Sequence, residues 1–272
     1  MLKKGAIGVF DSGYGGLTIL QAIQEKLPDY DYIYLGDNAR VPYGPRSFNT
    51  VYEYTKQCAY KLWEMDCPLV ILACNTASAK ALRNIQHKDL PVGRKILGVI
   101  RPTTEKIGHY SLTGHIGILA TEGTVKSLSY QIEIERFFPG VSVFQQACPF
   151  WVPLVENNEI ESPGAHYFIE REIKALLAQS PKIDTIVLAC THYPLLLPII
   201  RQYTPKGVTL ISQGELVANS LEDYLQRHSN IEERCTKNQL TRFFTTEQPQ
   251  EFTQKASLFT NQEIKAEYCK VD

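Results

Sequence analysis

Two cysteines in this chain stand in matching surroundings. Ile71-Leu72-Ala73-Cys74-Asn75-Thr76 and Val187-Leu188-Ala189-Cys190-Thr191-His192 both run from apolar residues through Ala-Cys into amide and hydroxyl groups. An apolar interior disfavours such polar neighbours, so the pair reads as two thiols displayed at strand ends. A helix beginning just after each thiol offers free backbone N–H groups and a positive partial charge, which lower a thiol's pKa and bind carboxylates. Two thiols flanking one small cleft can invert a carbon centre: one takes a proton from carbon and the other delivers a proton to the opposite face. That chemistry needs neither a metal nor a redox cofactor. It needs donors for the substrate's carboxylates, and Ser12, Asn75, Thr76, Thr121, Thr124 and Thr191 occupy the strand-to-helix junctions where such donors belong. His192, two residues past Cys190, can take that thiol's proton or lend it positive charge. Asp11, after the first apolar run, either caps the next helix or neighbours Cys74.

The elements that must position these groups alternate. Apolar runs at 6–10, 32–35, 69–73, 95–100, 115–120, 141–146, 185–189 and 208–211 read as strands. Helical patterns follow residue 17 and cover 49–65, 77–85, 121–135, 166–178 and 193–203, with a short helix opening at Pro102 and another after Gly214. Residues 39–47 and 147–156 read as loops, and 234–272 as a closing strand at 241–245 plus irregular structure. Such alternation implies parallel sheets covered on both faces, with ligands bound beyond the C-terminal strand ends. The polar clusters at Asp11-Ser12, Asp37-Asn38, Cys74-Asn75-Thr76, Thr121 to Thr124 and Cys190-Thr191-His192 all fall at those ends.

Composition excludes several classes. The 272 residues carry a net charge of −1, which argues against a general nucleic-acid or membrane-surface role. No apolar run approaches the roughly 20 residues of a membrane span, and the first residues lack a signal-peptide pattern, so the expected location is cytoplasmic. Seven cysteines without a C-x-x-C pair suit a reducing compartment, and Cys58, Cys67, Cys148, Cys235 and Cys269 read as packing residues. Gly13-Tyr14-Gly15-Gly16 with Asp37 resembles a dinucleotide fingerprint, but Thr18 stands in place of the third glycine and Asp11 would repel a pyrophosphate. Zinc would need further ligands converging on Cys74, Cys190 and His192. No metal and no cofactor are expected.

Taken together, Phe10-Asp11-Ser12-Gly13, Gly15-Gly16-Leu17-Thr18, Gly36-Asp37, Pro42-Tyr43-Gly44, Ala73 to Ala77, Ala120-Thr121 with Gly123-Thr124, Val152 to Glu156, and Ala189 to Pro194 resemble the bacterial glutamate racemase family, in its order and spacing. The resemblance implies two similar α/β domains of mostly parallel sheets, related by a pseudo-two-fold, with the active site in the cleft between them. Residues 1–99 plus 209–272 would form the first domain and 100–208 the second. It implies a pyridoxal-independent interconversion of L- and D-glutamate that supplies D-glutamate for peptidoglycan. Cys74 would take the α-proton from D-glutamate and Cys190 from L-glutamate, assisted by Asp11 and His192 respectively, with Glu156 in support. The substrate would be held by Asp11, Ser12, Tyr43, Gly44, Asn75, Thr76, Thr121, Thr124, Thr191 and His192. Thr103 stands where the family often has glycine. Glutamate is the expected small-molecule partner, with no nucleic acid or membrane required, and a homodimer is compatible with the pattern. The alternatives are another two-cysteine racemase, such as one for aspartate, and a non-catalytic or moonlighting binding protein.

Overall fold

The computed structural model describes residues 3–260 and 263–272; Met1 and Leu2, at the head of the expected first domain, and Asn261 and Gln262 near its end lie outside them. Among the described residues ten strands form two sheets: β1 (Ile7–Asp11), β2 (Tyr32–Gly36), β3 (Leu69–Leu72), β4 (Lys95–Gly98), β5 (His115–Ala120), β6 (Ser142–Ala147), β7 (Thr185–Ala189), β8 (Thr209–Ile211), β9 (Thr241–Thr245) and β10 (Ala266–Tyr268). The six-stranded sheet has the order β10-β9-β2-β1-β3-β4 and the four-stranded sheet β6-β5-β7-β8. Every pairing between these strands is parallel. The segment β2-β1-β3-β4 repeats as β6-β5-β7-β8, so β3, which leads to Cys74, and β7, which leads to Cys190, occupy equivalent places.

Parallel strands covered on both faces are apolar throughout. β1, β3 and β7 are buried at every position. Successive side chains of β1 and β3 point to opposite cores. Val9 and Ile71 pack with Leu17, Leu20 and Ile23 of the helix Leu17–Lys26, Val217 and Leu221 of the helix Gly214–Arg227, and Phe252. Phe10 and Leu72 pack with Val51, Ala59 and Leu62 of the helix Phe48–Glu64. In the second sheet Ile186 and Leu188 face Ile169, Ile173 and Leu176 of the helix Pro163–Leu177, while Val187 and Ala189 face Tyr130 and Ile134.

Four sequence expectations need correction. Residues 249–260 form a helix, Pro249–Thr260, followed by β10, rather than irregular structure. Among its described side chains Phe252 and Ala256 are fully buried and Phe259 partly so, set among Thr, Gln and Lys, which hides the helical period. Residues 151–156, expected as a loop, form the helix Trp151–Glu156. Pro153 is tolerated there because the first turn of a helix has no intrahelical acceptor for its N–H groups. The helix expected over 121–135 is two, Glu122–Ser127 and Ser129–Phe137, separated by Leu128 at φ 56. β8 hydrogen-bonds to β7, so the strand at 209–211, assigned from sequence to the first domain, belongs to the second sheet. No helix among the described residues is long and apolar enough to cross a membrane.

Candidate active site

A cavity of about 250 Å³ opens where the C-terminal ends of the two sheets meet. Its walls come from both halves: Ser12, Tyr43, Gly44, Cys74, Asn75 and Thr76 from the first, Thr121, Cys190, Thr191 and His192 from the second. Both candidate thiols therefore line one space. Of the other residues expected to act here, Asp11, Thr124 and Glu156 do not line the cavity but hydrogen-bond to residues that do, Thr191, Thr121 and His192 respectively.

Cys74 caps the helix Asn75–Lys80, its sulfur accepting from the Ala77 N–H at 3.5 Å. Ser12 Oγ lies 3.5 Å from the same sulfur. These contacts favour a thiolate, as the sequence suggests, but burial wins. Burial pushes the Cys74 thiol up to about 12, and the negative charge of Asp11 and the neighbouring Cys190 add to the rise against Ser12 and Ala77. Burial thus favours the neutral thiol at Cys74.

Cys190 sits in different electrostatics. Its sulfur is 3.8 Å from His192 Nδ1, and His192 Nε2 is 2.9 Å from Glu156 Oε1. Burial by itself lowers the pKa of His192, yet the hydrogen bonds and charges of Cys190 and Glu156 outweigh it and hold the imidazole well above its ordinary value. A cation at that distance stabilises negative charge on sulfur.

Asp11 is fully buried at the end of β1. Its Oδ2 accepts from the Gly13 N–H at 2.8 Å and its Oδ1 from Thr191 Oγ1 at 3.4 Å. Burial raises its pKa, opposed by His192 and by the Gly13 and Gly16 backbone. The helix-cap alternative is not realised: the helix Leu17–Lys26 has no side-chain cap.

The turn between β1 and that helix is pressed against the second half. A Cβ on Gly13 would stand 2.6 Å from Glu156 Oε1, and one on Gly15 would collide with His192 Nδ1 and Thr191 Oγ1. Glycine here serves close approach of backbone to the Cys190 partners, not a phosphate cradle.

The hydroxyl groups form a cluster spanning both halves. Thr76 Oγ1 lies 2.8 Å from Thr121 Oγ1, and Thr124 Oγ1 lies 3.1 Å from Thr121 Oγ1. The Tyr43 hydroxyl donates to Asp37, which also accepts from Arg40 Nε at 2.7 Å and Thr246 Oγ1 at 2.8 Å. Asp37 thus anchors the segment carrying Tyr43 and Gly44. None of the cavity-lining residues is Lys or Arg. The buried Lys80 ammonium, 7 % exposed, stands behind the wall and donates to the Arg46 carbonyl at 2.6 Å.

Sequence reasoning missed several participants. Cys148, read as a packing residue, is buried and also lines the cavity. Its position directly after β6 was the available signal. Phe150, Val152 and Pro153 add an apolar wall. Gln213 and Tyr130 hold Asn75 and carry no recognisable motif.

The family model for Asp/Glu/hydantoin racemases matches residues 16–221. The chain belongs to this racemase family. Within it, the chain is 40 % identical to the glutamate racemase of Paracoccus denitrificans over 273 residues, covering 96 % of this chain and 99 % of that protein. The crystal structure of a Bacillus anthracis glutamate racemase isoform aligns with TM-score 0.90 at 31 % identity, covering 98 % of both chains. The Francisella tularensis glutamate racemase, solved in complex with D-glutamate, aligns with TM-score 0.86 at 28 % identity over 99 % of this chain and 98 % of that one. Like those racemases, this chain is an isomerase of mixed α/β architecture.

Proposed function

We propose that this glutamate racemase family member interconverts L- and D-glutamate by proton transfer between two thiols, without a cofactor. The observation that carries this reading is that Cys74 and Cys190 reach one cavity from equivalent strands of two sheets. The two thiols sit in unequal settings. Cys74 is kept neutral by burial, whereas Cys190 is paired with a charged His192. That state is set to take the α-proton of L-glutamate with Cys190 and to protonate the opposite face from Cys74. Conversion of D-glutamate to L-glutamate runs the opposite way, with Cys74, assisted by Asp11, taking the α-proton and Cys190 delivering one. Ser12, Tyr43, Gly44, Asn75, Thr76, Thr121, Thr191 and the neighbouring backbone N–H groups supply donors for the two carboxylates, with Thr124 behind Thr121. The product would feed peptidoglycan synthesis in the cytoplasm. Residues 1–99 with the chain after β8 would make one domain and 100–211 the other.

Incubation with L-glutamate in heavy water, with no cofactor added, tests this. Loss of optical rotation with deuterium at Cα is the expected result. The same changes with L-aspartate and not glutamate would move the assignment to an aspartate racemase. No exchange with either would leave a binding role.

A further inference from the structure

Asn75 lines the cavity, but most of its side-chain amide faces away into a buried ring of hydrogen bonds. Asn75 Nδ2 donates to Gln213 Oε1 at 2.7 Å, Gln213 Nε2 donates to the Tyr130 hydroxyl at 2.7 Å, and that hydroxyl donates to Asn75 Oδ1 at 2.7 Å. Asn75 and Gln213 are each 2 % exposed and Tyr130 is 0 % exposed. The ring closes on itself, with every member giving one proton and accepting one.

An amide in such a ring has two orientations, and the backbone selects one of them. Gln213 Nε2 also lies 3.1 Å from the Val99 carbonyl and 2.9 Å from Thr103 Oγ1. A backbone carbonyl only accepts, so the atom facing it must be the nitrogen of Gln213. Gln213 Oε1 therefore faces Asn75 and requires a donor, which is Nδ2. Asn75 Oδ1 then faces Tyr130, whose hydroxyl must donate. Thr103, placed where the family often has glycine, contributes the second acceptor and itself donates to the Val99 carbonyl at 3.3 Å. A fixed peptide group thus sets the polarity of three side chains in succession. With Oδ1 engaged by Tyr130 and one Nδ2 proton engaged by Gln213, the remaining uncommitted proton on Asn75 is the second Nδ2–H.

We propose that Gln213 is a positioning residue for the reaction: through Tyr130 it holds the Asn75 amide so that a nitrogen donor, not an oxygen, is what Asn75 offers to a substrate carboxylate. The ring also spans the fold. Val99 and Thr103 follow β4, where the chain leaves the first sheet, and Gln213 follows β8, where it returns. Gln213 ties these two crossings together directly behind the binding wall. A released amide could turn its oxygen toward the cavity, and a carbonyl oxygen facing a carboxylate weakens binding rather than chemistry. The inference rests on the reading that Asn75 contacts glutamate.

The test is steady-state kinetics of Gln213→Leu, Tyr130→Phe and the double variant with both glutamate enantiomers, alongside thermal unfolding. A hydrogen bond to a charged group is worth enough to change affinity roughly 10- to 100-fold, so KM for both enantiomers should rise by about that factor while kcat stays within about threefold. The double variant should be no worse than the worse single one, because either change opens the same ring. Tyr130→Phe retains the packing of the ring, so it stays informative if Gln213→Leu folds poorly. An unchanged KM in folded Tyr130→Phe, a fall in kcat alone, or KM increases that multiply in the double variant would each overturn the proposal. Wild-type turnover, measured in parallel, separates the two readings: active wild type with unmoved variants overturns the ring alone, whereas inactive wild type overturns the racemase reading and the ring with it.

Discussion

Glu156 Oε1 lies 2.9 Å from His192 Nε2, on the far side of the imidazole from the Cys190 sulfur. The carboxylate, the ring and the thiol form a line in which the imidazole contacts Glu156 at one nitrogen and Cys190 at the other. Glu156 is brought there by the helix Trp151–Glu156 and held against Gly13 of the first half.

This line has a pH signature. Although burial alone would lower it, the His192 pKa stands well above 6.5, raised by Cys190 and Glu156. A histidine with a raised folded-state pKa binds more protons folded than unfolded across the window that opens near 6.5. Its stabilisation is full below that window and is lost as pH rises through it. Glu156→Gln should therefore destabilise the protein most below about pH 6.5, and the difference from wild type should shrink as pH rises above that value. Urea unfolding at a series of pH values measures this, and a pH-independent difference would count against a charged His192.

Asp11 works in the opposite sense. Burial raises its pKa, partly countered by His192. A carboxyl group with a raised folded-state pKa stabilises the fold when protonated; that contribution is present below about 3.8 and is lost as pH rises through the folded value. At neutral pH the charged form is a burden on stability. Asp11→Asn should gain on the order of 1 kcal/mol in unfolding free energy and lose turnover, since the Thr191 hydroxyl can reorient toward an amide but an amide cannot assist proton transfer at Cys74. A variant less stable than wild type would show that the contacts of Asp11 to Gly13 and Thr191 outweigh its desolvation.

The two thiols should separate by which enantiomer they exchange. Cα deuterium should enter L-glutamate without inversion in Cys74→Ser, and D-glutamate without inversion in Cys190→Ser. Because the two enantiomers have equal free energy, kcat/KM for racemization must fall equally in both directions for either variant, by roughly 10²- to 10⁴-fold if a general acid or base is lost. NMR of the α-proton beside polarimetry reads both quantities. Racemization at full rate in either variant would remove that thiol from the mechanism.

Phe252 packs in the first core beside Tyr14 and Tyr34, with ring centroids 5.2 and 6.1 Å away, and is fully buried. Phe252→Ala should cost about 3–5 kcal/mol, measured by denaturant unfolding. A loss below about 1 kcal/mol would mean that the helix Pro249–Thr260 is not integral to that core.

The alternation of strands and helices was legible because fully buried parallel strands leave uninterrupted apolar runs such as Leu69 to Leu72. Cys74 and Cys190 were legible because each interrupts such a run with polar residues. The tail was harder to read: Phe252 and Ala256 give a helix two fully buried contacts in three turns, too few to mark a period. The electrostatics of Cys74 were misjudged because a local helix terminus is visible in a sequence, whereas burial contributed by both halves is not. Gln213 and Tyr130 were invisible for a related reason, since their importance arises only where two distant crossings of the chain meet.

The order of the larger sheet bears on synthesis. β5 to β8 come from one unbroken stretch, whereas β9 and β10, which extend the sheet beyond β2, come after it. A growing polypeptide thus completes the four-stranded sheet while β2 still shows the ribosome an open flank of unpaired backbone, the kind of edge that recruits other strands. The later segment that carries β9 and β10 closes that flank, and a product truncated before residue 241 would carry Cys74 and Cys190 yet remain adhesive.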